Sequence, residues 1–289
     1  MNKMMKKIVS GALALTSVFA CAGTLTACET SHPEFTMKVS FNGETYELDY
    51  YLYRNVAPAT TKHFIWLVGN NYYDGLCIHD YTSTRMYTGA FTAAADENDS
   101  DGLASRNYYD FVKSSKNLAS FPHSVWEDRE KTMPLYTLRG EFKNNSFEVE
   151  SGAFNPSFGS LTMYYASNGA TDDVYVEYAS EKGMATRQYQ YNSATSMFYI
   201  SLENATAQSG YCTFALLQDG EADDLKALQE DISDYIENTY GEDGASEFTE
   251  TQTVTVGEGD MLLDDYEKGL SCKVPKAAIV IESIKITKY

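Results

Sequence analysis

The side chains that could perform acid–base or metal chemistry are scattered along this sequence. The four histidines, among them His63 and His79, form no zinc-type cluster with cysteines. Ser160, Ser193 and Ser196 have no histidine nearby in the sequence in a pattern that could supply a base. The sequence therefore predicts neither a zinc site nor a hydrolase triad.

The residues with oxygen and sulfur ligands do not indicate a metal site either. One acidic loop carries Asp96, Glu97, Asp99 and Asp101, but their spacing differs from that of the twelve-residue calcium loop, so a calcium site is the less favoured interpretation. Cys77, Cys212 and Cys272 are odd in number and have no C-x-x-C spacing, which does not indicate a disulfide framework. We predict no metal site and no cofactor.

Residues 57–90 contain the stretch around which the rest of the chain is organised. Pro58, with Thr60 and Thr61 as candidate caps, begins an amphipathic run that Gly69 ends, which predicts a short helix. A Tyr-Tyr-Asp-Gly turn at 72–75 follows, and then two strand-like runs at 76–81 and 85–88. The pattern predicts a helix followed by a pair of strands.

Three further elements flank this stretch. Residues 36–53 alternate about an Asn42-Gly43 turn, which predicts a β-hairpin with one buried face. Residues 221–240 place apolar side chains on one helical face, and residues 279–286 alternate as a closing strand. No internal repeat is visible.

The order of these motifs resembles the cyclophilin-type peptidyl-prolyl isomerases. The matching blocks begin with residues 36–53 and 57–90, and continue with residues 138–142, 158–163, 197–200 and 210–215. They follow the family's order and cover a little over half of the mature chain. The resemblance implies a mainly β fold, a cyclophilin-like eight-stranded antiparallel β-barrel with two main helices. Two insertions, at about 91–134 and 167–191, interrupt it.

The resemblance also implies where the chemistry should lie. The family turns an X-Pro bond with an arginine that follows a Phe-His pair, beside an apolar socket for the proline ring. Ile78 and His79 take the Phe-His positions, but Asp80 stands where the arginine belongs, and an ionised carboxylate cannot donate a hydrogen bond. We predict Arg85 as a substitute donor, with a surface ion pair to Asp80 as the alternative.

The socket is only partly kept. Met86, Phe198 and Phe214 match the family, whereas Tyr199 replaces a phenylalanine and Thr88 replaces a glutamine. Tyr164 occupies a position where the family has a small residue that lines the groove, so its ring could narrow the adjoining pocket. Tyr211 replaces a histidine of the family. For His79 the alternative is a structural histidine of the barrel. The predicted substrate-binding residues are Ile78, His79, Asp80, Met86, Thr88, Tyr164, Met197, Phe198, Tyr199, Tyr211 and Phe214.

The N-terminus predicts export and a lipid anchor. Three lysines precede a short apolar run, and residues 25–28 read Leu-Thr-Ala-Cys, the form of a bacterial lipobox. We expect a signal peptide at 1–27, lipidation of Cys28, a tether at 28–35 and one domain at 36–289. An ordinary secretory signal is the alternative.

The charge of the mature chain limits its partners. Cleavage leaves 19 basic against 41 acidic side chains, a net charge of −22, which disfavours nucleic acid and anionic lipid. We predict a monomer on the outer face of the bacterial cell membrane, with proline-containing peptides or unfolded exported proteins as partners.

The resemblance implies a peptidyl-prolyl cis-trans isomerase that helps exported proteins fold, with activity weakened by Asp80. The alternative is a non-catalytic peptide-binding or chaperone module on the same barrel. A small-solute-binding lipoprotein is disfavoured because the repeated βα pattern of such proteins is missing.

Overall fold

The computed structural model of the chain describes residues 30–93, 102–147, 154–165, 171–178, 183–205, 210–241, 244–254 and 269–289. The signal peptide, Cys28 and the acidic loop at 96–101 lie outside these residues. None of the helices in the described ranges has the length and apolar content needed to cross a membrane.

The described chain contains three α-helices and seventeen strands. The helices are α1 (Pro58–Gly69), α2 (Tyr108–Ser114) and α3 (Ala222–Tyr240). The first nine strands are β1 (Glu34–Phe41), β2 (Glu44–Leu52), β3 (Leu76–Cys77), β4 (Asp80–Tyr81), β5 (Arg85–Thr88), β6 (Phe91–Ala93), β7 (Leu103–Ser105), β8 (Val125–Trp126) and β9 (Pro134–Leu135). The others are β10 (Leu161–Met163), β11 (Asp173–Tyr178), β12 (Gly183–Gln188), β13 (Phe198–Ser201), β14 (Thr213–Leu217), β15 (Thr249–Val254), β16 (Leu270–Pro275) and β17 (Val280–Lys288).

The main sheet is antiparallel and closes on itself. Its strand order is β3-β17-β1-β2-β14-β10-β13-β5-β4. The two outermost strands, β3 and β4, are the ends of one segment and are separated only by Ile78 and His79. Because this segment pairs with β17 at one end and with β5 at the other, it closes the barrel as its eighth strand. The predicted cyclophilin-like barrel is confirmed.

The β1–β2 hairpin forms as its turn residues predict. Asn42 and Gly43 have φ values of 50° and 91°, the left-handed conformation that a two-residue hairpin turn requires. Along β1 every second side chain is buried, from Phe35 through Met37 and Val39 to Phe41. This alternation gives the barrel an apolar interior and leaves the other face of the strand for polar residues.

The two long helices lie where the apolar spacing predicts them. Helix α3 buries Leu225, Leu228 and Ile232 and packs its Tyr235 against Phe41 of β1, with the ring centres 5.5 Å apart. Helix α1 begins at Pro58 and its N-cap residue is Ala57. The predicted caps Thr60 and Thr61 do not cap the helix, because both lie within its first turns.

A distant carboxylate takes over the role of the cap on α1. Both oxygens of Glu141 accept backbone N–H groups of the first turn, from Ala59 and Thr60 at 2.9 Å each. The positive pole of the helix dipole favours the charged form of Glu141, but the burial of this side chain opposes that charge more strongly and raises its pKa. Glu141 therefore fastens α1 to the segment that enters the second half of the barrel.

The two insertions join in one small sheet. Its strand order is β12-β11-β8-β9, so β8 from the first insertion pairs with β11 from the second. It has an apolar core of its own, formed by Val125, Leu135, Val174, Val176 and Tyr189. We call it the inserted sheet.

The first insertion also packs on the barrel. Phe121 stacks edge-on against Trp66 of α1 with ring centres 5.0 Å apart, and Tyr108 of α2 lies beside His63. Aromatic side chains of the insertion therefore cover the outer surface of α1.

Candidate functional site

Strand pairing decides which side chains of β5 and β13 can meet a ligand. Tyr87 lies opposite Tyr199, and Arg85 lies opposite Ser201. Directly opposed residues of an antiparallel pair project to the same face, and the face alternates along each strand. Arg85, Tyr87 and Tyr199 therefore share the outer side of the sheet, where Arg85 and Tyr87 are half-buried and Tyr199 is only 2% exposed.

One guanidinium stands among four tyrosine rings on this outer face. Nη1 of Arg85 donates a hydrogen bond to the Tyr87 hydroxyl at 3.1 Å, and its Cζ lies 4.8 Å from the ring centre of Tyr199 and 5.7 Å from that of Tyr211. The Tyr87 ring centre is 5.2 Å from that of Tyr199 and 6.3 Å from that of Tyr164. We call these five residues the tyrosine face.

The protonation states of this face follow from its contacts. Partial burial opposes the charge of Arg85, but the hydrogen bond to Tyr87 and the neighbouring phenols outweigh it and raise the pKa of Arg85. Burial raises the pKa of Tyr199 to about 12. At neutral pH the guanidinium of Arg85 is charged and the Tyr199 phenol beneath it is neutral, a cation–π arrangement worth about 0.5–2 kcal/mol.

Arg85 keeps donors available for a ligand. A guanidinium carries five N–H donors. In the part of the chain that the structure describes, Arg85 forms the single side-chain hydrogen bond to Tyr87 and no ion pair. The remaining donors can bind carbonyl oxygens or another acceptor brought to the face.

Asp80 has a different partner. It lies opposite Tyr87, but its Oδ1 accepts the backbone N–H of Lys273 at 2.8 Å. Burial raises the pKa of Asp80, and the hydrogen bond from Lys273 offsets part of this rise. Asp80 and Arg85 therefore form no ion pair, and the Asp80 carboxylate attaches strand β16 to the edge of β4.

The other predicted binding residues lie away from the tyrosine face. Phe198 and Phe214 are fully buried in the barrel against Phe64, with ring centres 6.0 and 5.3 Å away. The buried Met86 shares their side of the sheet, and the buried Thr88 hydroxyl donates to the Cys77 carbonyl at 2.9 Å.

Three more predicted residues are also buried. Ile78 belongs to the main core. His79 stacks against Phe91 at 5.0 Å, and burial lowers the pKa of His79 to about 3, so this histidine is neutral. Met197 is buried, and its carbonyl accepts the Tyr164 backbone N–H at 3.0 Å. The structure brings together Arg85, Tyr164, Tyr199 and Tyr211 from the predicted set.

Tyr87 was missing from the predicted residues, although a signal for it was present. Arg85 was proposed as the donor, and a strand at 85–88 was predicted. Period-two alternation places residue 87 on the same face as residue 85, whereas residues 86 and 88 point to the opposite face. The strand period thus identifies Tyr87.

A separate cleft of about 1090 Å³ lies outside the tyrosine face. It is bounded by the β4–β5 turn, helix α3 and the paired strands β15 and β16. Its polar lining includes Thr82, Ser83, Lys226, Glu230, Glu237 and Lys273. Both signs of charge are therefore present in the cleft.

Metal-ligating side chains do not cluster in the described ranges. No group of three His, Cys, Asp or Glu residues there could hold a metal ion. Cys77, Cys212 and Cys272 are all free thiols and all buried.

Comparison with known proteins identifies the family. The sequence model of the family described as "Cyclophilin type peptidyl-prolyl cis-trans isomerase/CLD" matches residues 36–238. The chain belongs to this family. A search of curated proteins finds no match.

Solved structures similar to this cyclophilin-type chain include two of a Cryptosporidium parvum cyclophilin-type peptidyl-prolyl cis-trans isomerase, one determined in the presence of the dipeptide Ala-Pro. Each is 14% identical in sequence and has a TM-score of 0.41. Each match covers 89% of this chain and 99% of the other.

Proposed function

We propose that this cyclophilin-type protein is a peptidyl-prolyl cis-trans isomerase in which Arg85 supplies the hydrogen-bond donor. The observation that carries the proposal is the Arg85 guanidinium, which Tyr87 anchors through its hydroxyl and which lies over the ring of Tyr199. It is the cation of the tyrosine face, and it stands five residues beyond Asp80 in the chain.

The reaction needs little more than such a face. Rotation about a peptide bond costs about 18–20 kcal/mol because amide resonance is lost. A donor that binds the prolyl nitrogen lone pair more strongly in the twisted state lowers this barrier, since the interaction is stronger in the transition state. A single preorganised donor of this kind contributes roughly 10²- to 10³-fold in other enzymes.

The tyrosine rings have a complementary role. The half-buried rings of Tyr87, Tyr164 and Tyr211 offer flat apolar surface for a proline ring. The buried Tyr199 ring supports the guanidinium from below. Tyr87 acts as a positioning residue because its hydroxyl holds the guanidinium in place.

The proposed setting is the outer face of the cell membrane. It is supported by the lysines and apolar run of residues 1–27 and by the lipobox that ends at Cys28. The clients are unfolded exported proteins, and the net charge of −22 that cleavage of the proposed signal peptide leaves favours basic clients over acidic ones.

The test is a protease-coupled isomerisation assay with an Ala-Pro tetrapeptide. We expect the wild-type protein to accelerate isomerisation and Arg85→Ala to lose the acceleration. Tyr87→Phe, which keeps the ring but frees the guanidinium, should lose part of it. Arg129→Ala, which removes an exposed arginine of the β8–β9 turn, is the matched control and should behave as wild type. Full activity in Arg85→Ala would refute the assignment.

Two observations favour a second function, a non-catalytic peptide-binding module. Asp80 holds β16, and the apolar residues Met86, Phe198 and Phe214 point into the barrel. Wild-type protein that is folded, binds the peptide and does not accelerate its isomerisation would establish this second function instead.

A further inference from the structure

The cleft of about 1090 Å³ beside α3 lies outside the proposed isomerase site, and we call it the α3 cleft. Ligand-binding clefts in proteins have volumes of about 300–1,000 Å³, so this one is as large as the larger of them. Three walls bound it, formed by α3, by the β4–β5 turn and by the paired strands β15 and β16. The cleft therefore has room for a ligand of several residues.

The helix wall of the α3 cleft is long enough for a stretch of polypeptide. Lys226, Glu230 and Glu237 follow one another at helical spacing and line the cleft from one face of α3. At the rise of an α-helix, the stretch from Lys226 to Glu237 extends over about 16 Å. An extended chain advances about 3.3 Å per residue, so this wall matches roughly five residues of extended polypeptide.

The helix wall also offers two carboxylates to a ligand. The Lys226 ammonium pairs with Asp223 of the same helix at 2.9 Å, which offsets its charge. Glu230 and Glu237, in contrast, form no ion pair and no side-chain hydrogen bond with the residues that the structure describes. This wall is therefore suited to basic ligand side chains.

The strand wall carries the opposite charge. Thr251 of β15 lies opposite Lys273 of β16, so their side chains project to the same side of the pair, and both line the cleft. The backbone N–H of Lys273 binds Asp80, but the Lys273 ammonium forms no ion pair within the described ranges. The strand wall is therefore suited to an acidic ligand side chain.

The remaining lining of the α3 cleft suits a peptide backbone. It includes the hydroxyls of Ser83, Ser233, Ser246 and Thr249. A hydroxyl can both donate and accept a hydrogen bond, and each peptide unit offers one donor and one acceptor. The lining can therefore bind the main chain of an extended segment as well as its charged side chains.

The α3 cleft and the tyrosine face meet at the β4–β5 turn. Thr82, which lines the cleft, donates its backbone N–H to the Arg85 carbonyl at 2.9 Å, and its hydroxyl accepts the Arg85 N–H at 3.0 Å. The residue assigned as the isomerase donor is thus hydrogen-bonded to a residue of the cleft wall. A polypeptide bound at the tyrosine face needs only a few further residues to reach the α3 cleft.

We propose that the α3 cleft binds an extended client segment in which basic and acidic residues alternate, while a proline of the same client lies at the tyrosine face. Neighbouring side chains of an extended chain project to opposite sides. Alternation therefore directs basic side chains to Glu230 and Glu237 and acidic ones to Lys273. The proposal rests on the proposed function only in that the client is an unfolded polypeptide. Because the two contacts are linked, the longer client should bind about tenfold more tightly than its proline-containing part alone.

The experiment measures peptide binding to the full-length protein by fluorescence anisotropy. The reference is the Ala-Pro tetrapeptide. Longer peptides join it through two glycines, on either side of the proline, to Lys-Glu-Lys-Glu-Lys, to Lys-Ser-Lys-Ser-Lys or to a run of five serines. We expect the alternating segment to raise the affinity about tenfold in at least one of its two positions, the Lys-Ser segment to raise it less and the serine run to leave it unchanged.

Two results of this comparison would overturn the proposal. One is equal binding of all the peptides. The other is tighter binding of the Lys-Ser segment than of the alternating one, because general attraction to an acidic protein favours the peptide with the higher positive charge.

Charge-neutralising variants locate the segment. Glu230→Gln combined with Glu237→Gln should remove most of the gain. Lys273→Gln should abolish the difference between the alternating and Lys-Ser segments, while its backbone bond to Asp80 remains. Asp234→Asn removes a charge from an exposed position of α3 outside the cleft, and this matched control should keep the whole gain. A gain that survives in the double variant, or that falls equally in Asp234→Asn, would contradict the proposal.

Two further outcomes separate this proposal from its neighbours. A concentration-dependent dimer of wild-type protein in sedimentation experiments, abolished by Lys273→Gln, would assign the α3 cleft to a second copy and overturn the client assignment. Failure of the proposed isomerase function shows instead as tetrapeptide turnover absent from wild-type protein, whether or not the alternating segment raises the affinity.

Discussion

Replacement of Asp80 by the arginine typical of its family position should cost stability. The Asp80 carboxylate accepts the backbone N–H of Lys273 at 2.8 Å and so fastens strand β16 to β4. Cys272, the neighbour of Lys273, is fully buried, and Phe248 packs against Tyr81 at 5.5 Å. Asp80→Arg would remove the acceptor and leave the Lys273 N–H without it.

The magnitude follows from one hydrogen bond to a charged group. Such a bond contributes about 1.5–3 kcal/mol, and the half-buried position of Asp80 favours the lower half of this range. Asp80→Ala should therefore cost about 2 kcal/mol, which lowers the melting temperature by roughly 4–8 °C for a domain of this size. Asp80→Asn keeps an acceptor oxygen and should cost less than about 1 kcal/mol.

The assay combines thermal unfolding with hydrogen exchange. Asp80→Ala and Asp80→Arg should speed the exchange of the β16 amides, whereas Asp234→Ala, at an exposed aspartate of α3, should not. Neither substitution of Asp80 should raise isomerase activity, because the donor is assigned to Arg85. If Asp80→Arg gains activity at unchanged stability, both the role of Asp80 and the Arg85 assignment are refuted.

Three further substitutions test the fold. Burial raises the pKa of Glu141 above its ordinary 4.5, against the opposing N–H bonds, so its contribution to stability is full below 4.5 and lost as pH rises through the folded-state pKa. In urea denaturation, the free energy of unfolding of Glu141→Gln should therefore rise relative to that of wild type as the pH goes from acidic to neutral. A difference between the two proteins that does not change with pH would contradict this. Gly89→Ala, at a φ of 95° with its new Cβ 2.3 Å from the Ser196 carbonyl oxygen, should lose more than about 2 kcal/mol in chemical denaturation, and a wild-type midpoint would contradict it. Val176→Ala should cost about 2 kcal/mol and speed hydrogen exchange in β11 and β12 but not in β1, and a uniform increase would show that the two cores unfold together.

The parts of this fold that follow from the sequence are those built by neighbours in the chain. Asn42 and Gly43 can adopt the turn that joins β1 to β2, and the spacing of Leu225, Leu228 and Ile232 gives α3 its buried face. Each element results from local backbone preference together with one apolar face. The order of these elements along the chain resembles that of the cyclophilin family, and this resemblance predicts the barrel.

The parts that could not be predicted depend on pairs that are distant in sequence. Glu141 lies 81 residues from the Thr60 N–H that it binds, and Asp80 lies 193 residues from Lys273. The inserted sheet pairs Tyr175 with Trp126, which belong to different insertions. No spacing within either insertion indicates the other as its partner, because each segment alone is only a short apolar run.

The candidate site shows that a family motif can identify the correct strand without showing which side of the sheet each of its side chains faces. Arg85 and Met86 are neighbours on β5, and Phe198 and Tyr199 are neighbours on β13, so a match to the family places all four in one region. Strand alternation then separates them, because Arg85 and Tyr199 face outward while Met86 and Phe198 fill the barrel. In the proposed isomerase, the proline ring would therefore meet tyrosine rings and a guanidinium on the outer face, because the phenylalanine and methionine side chains are inside the barrel.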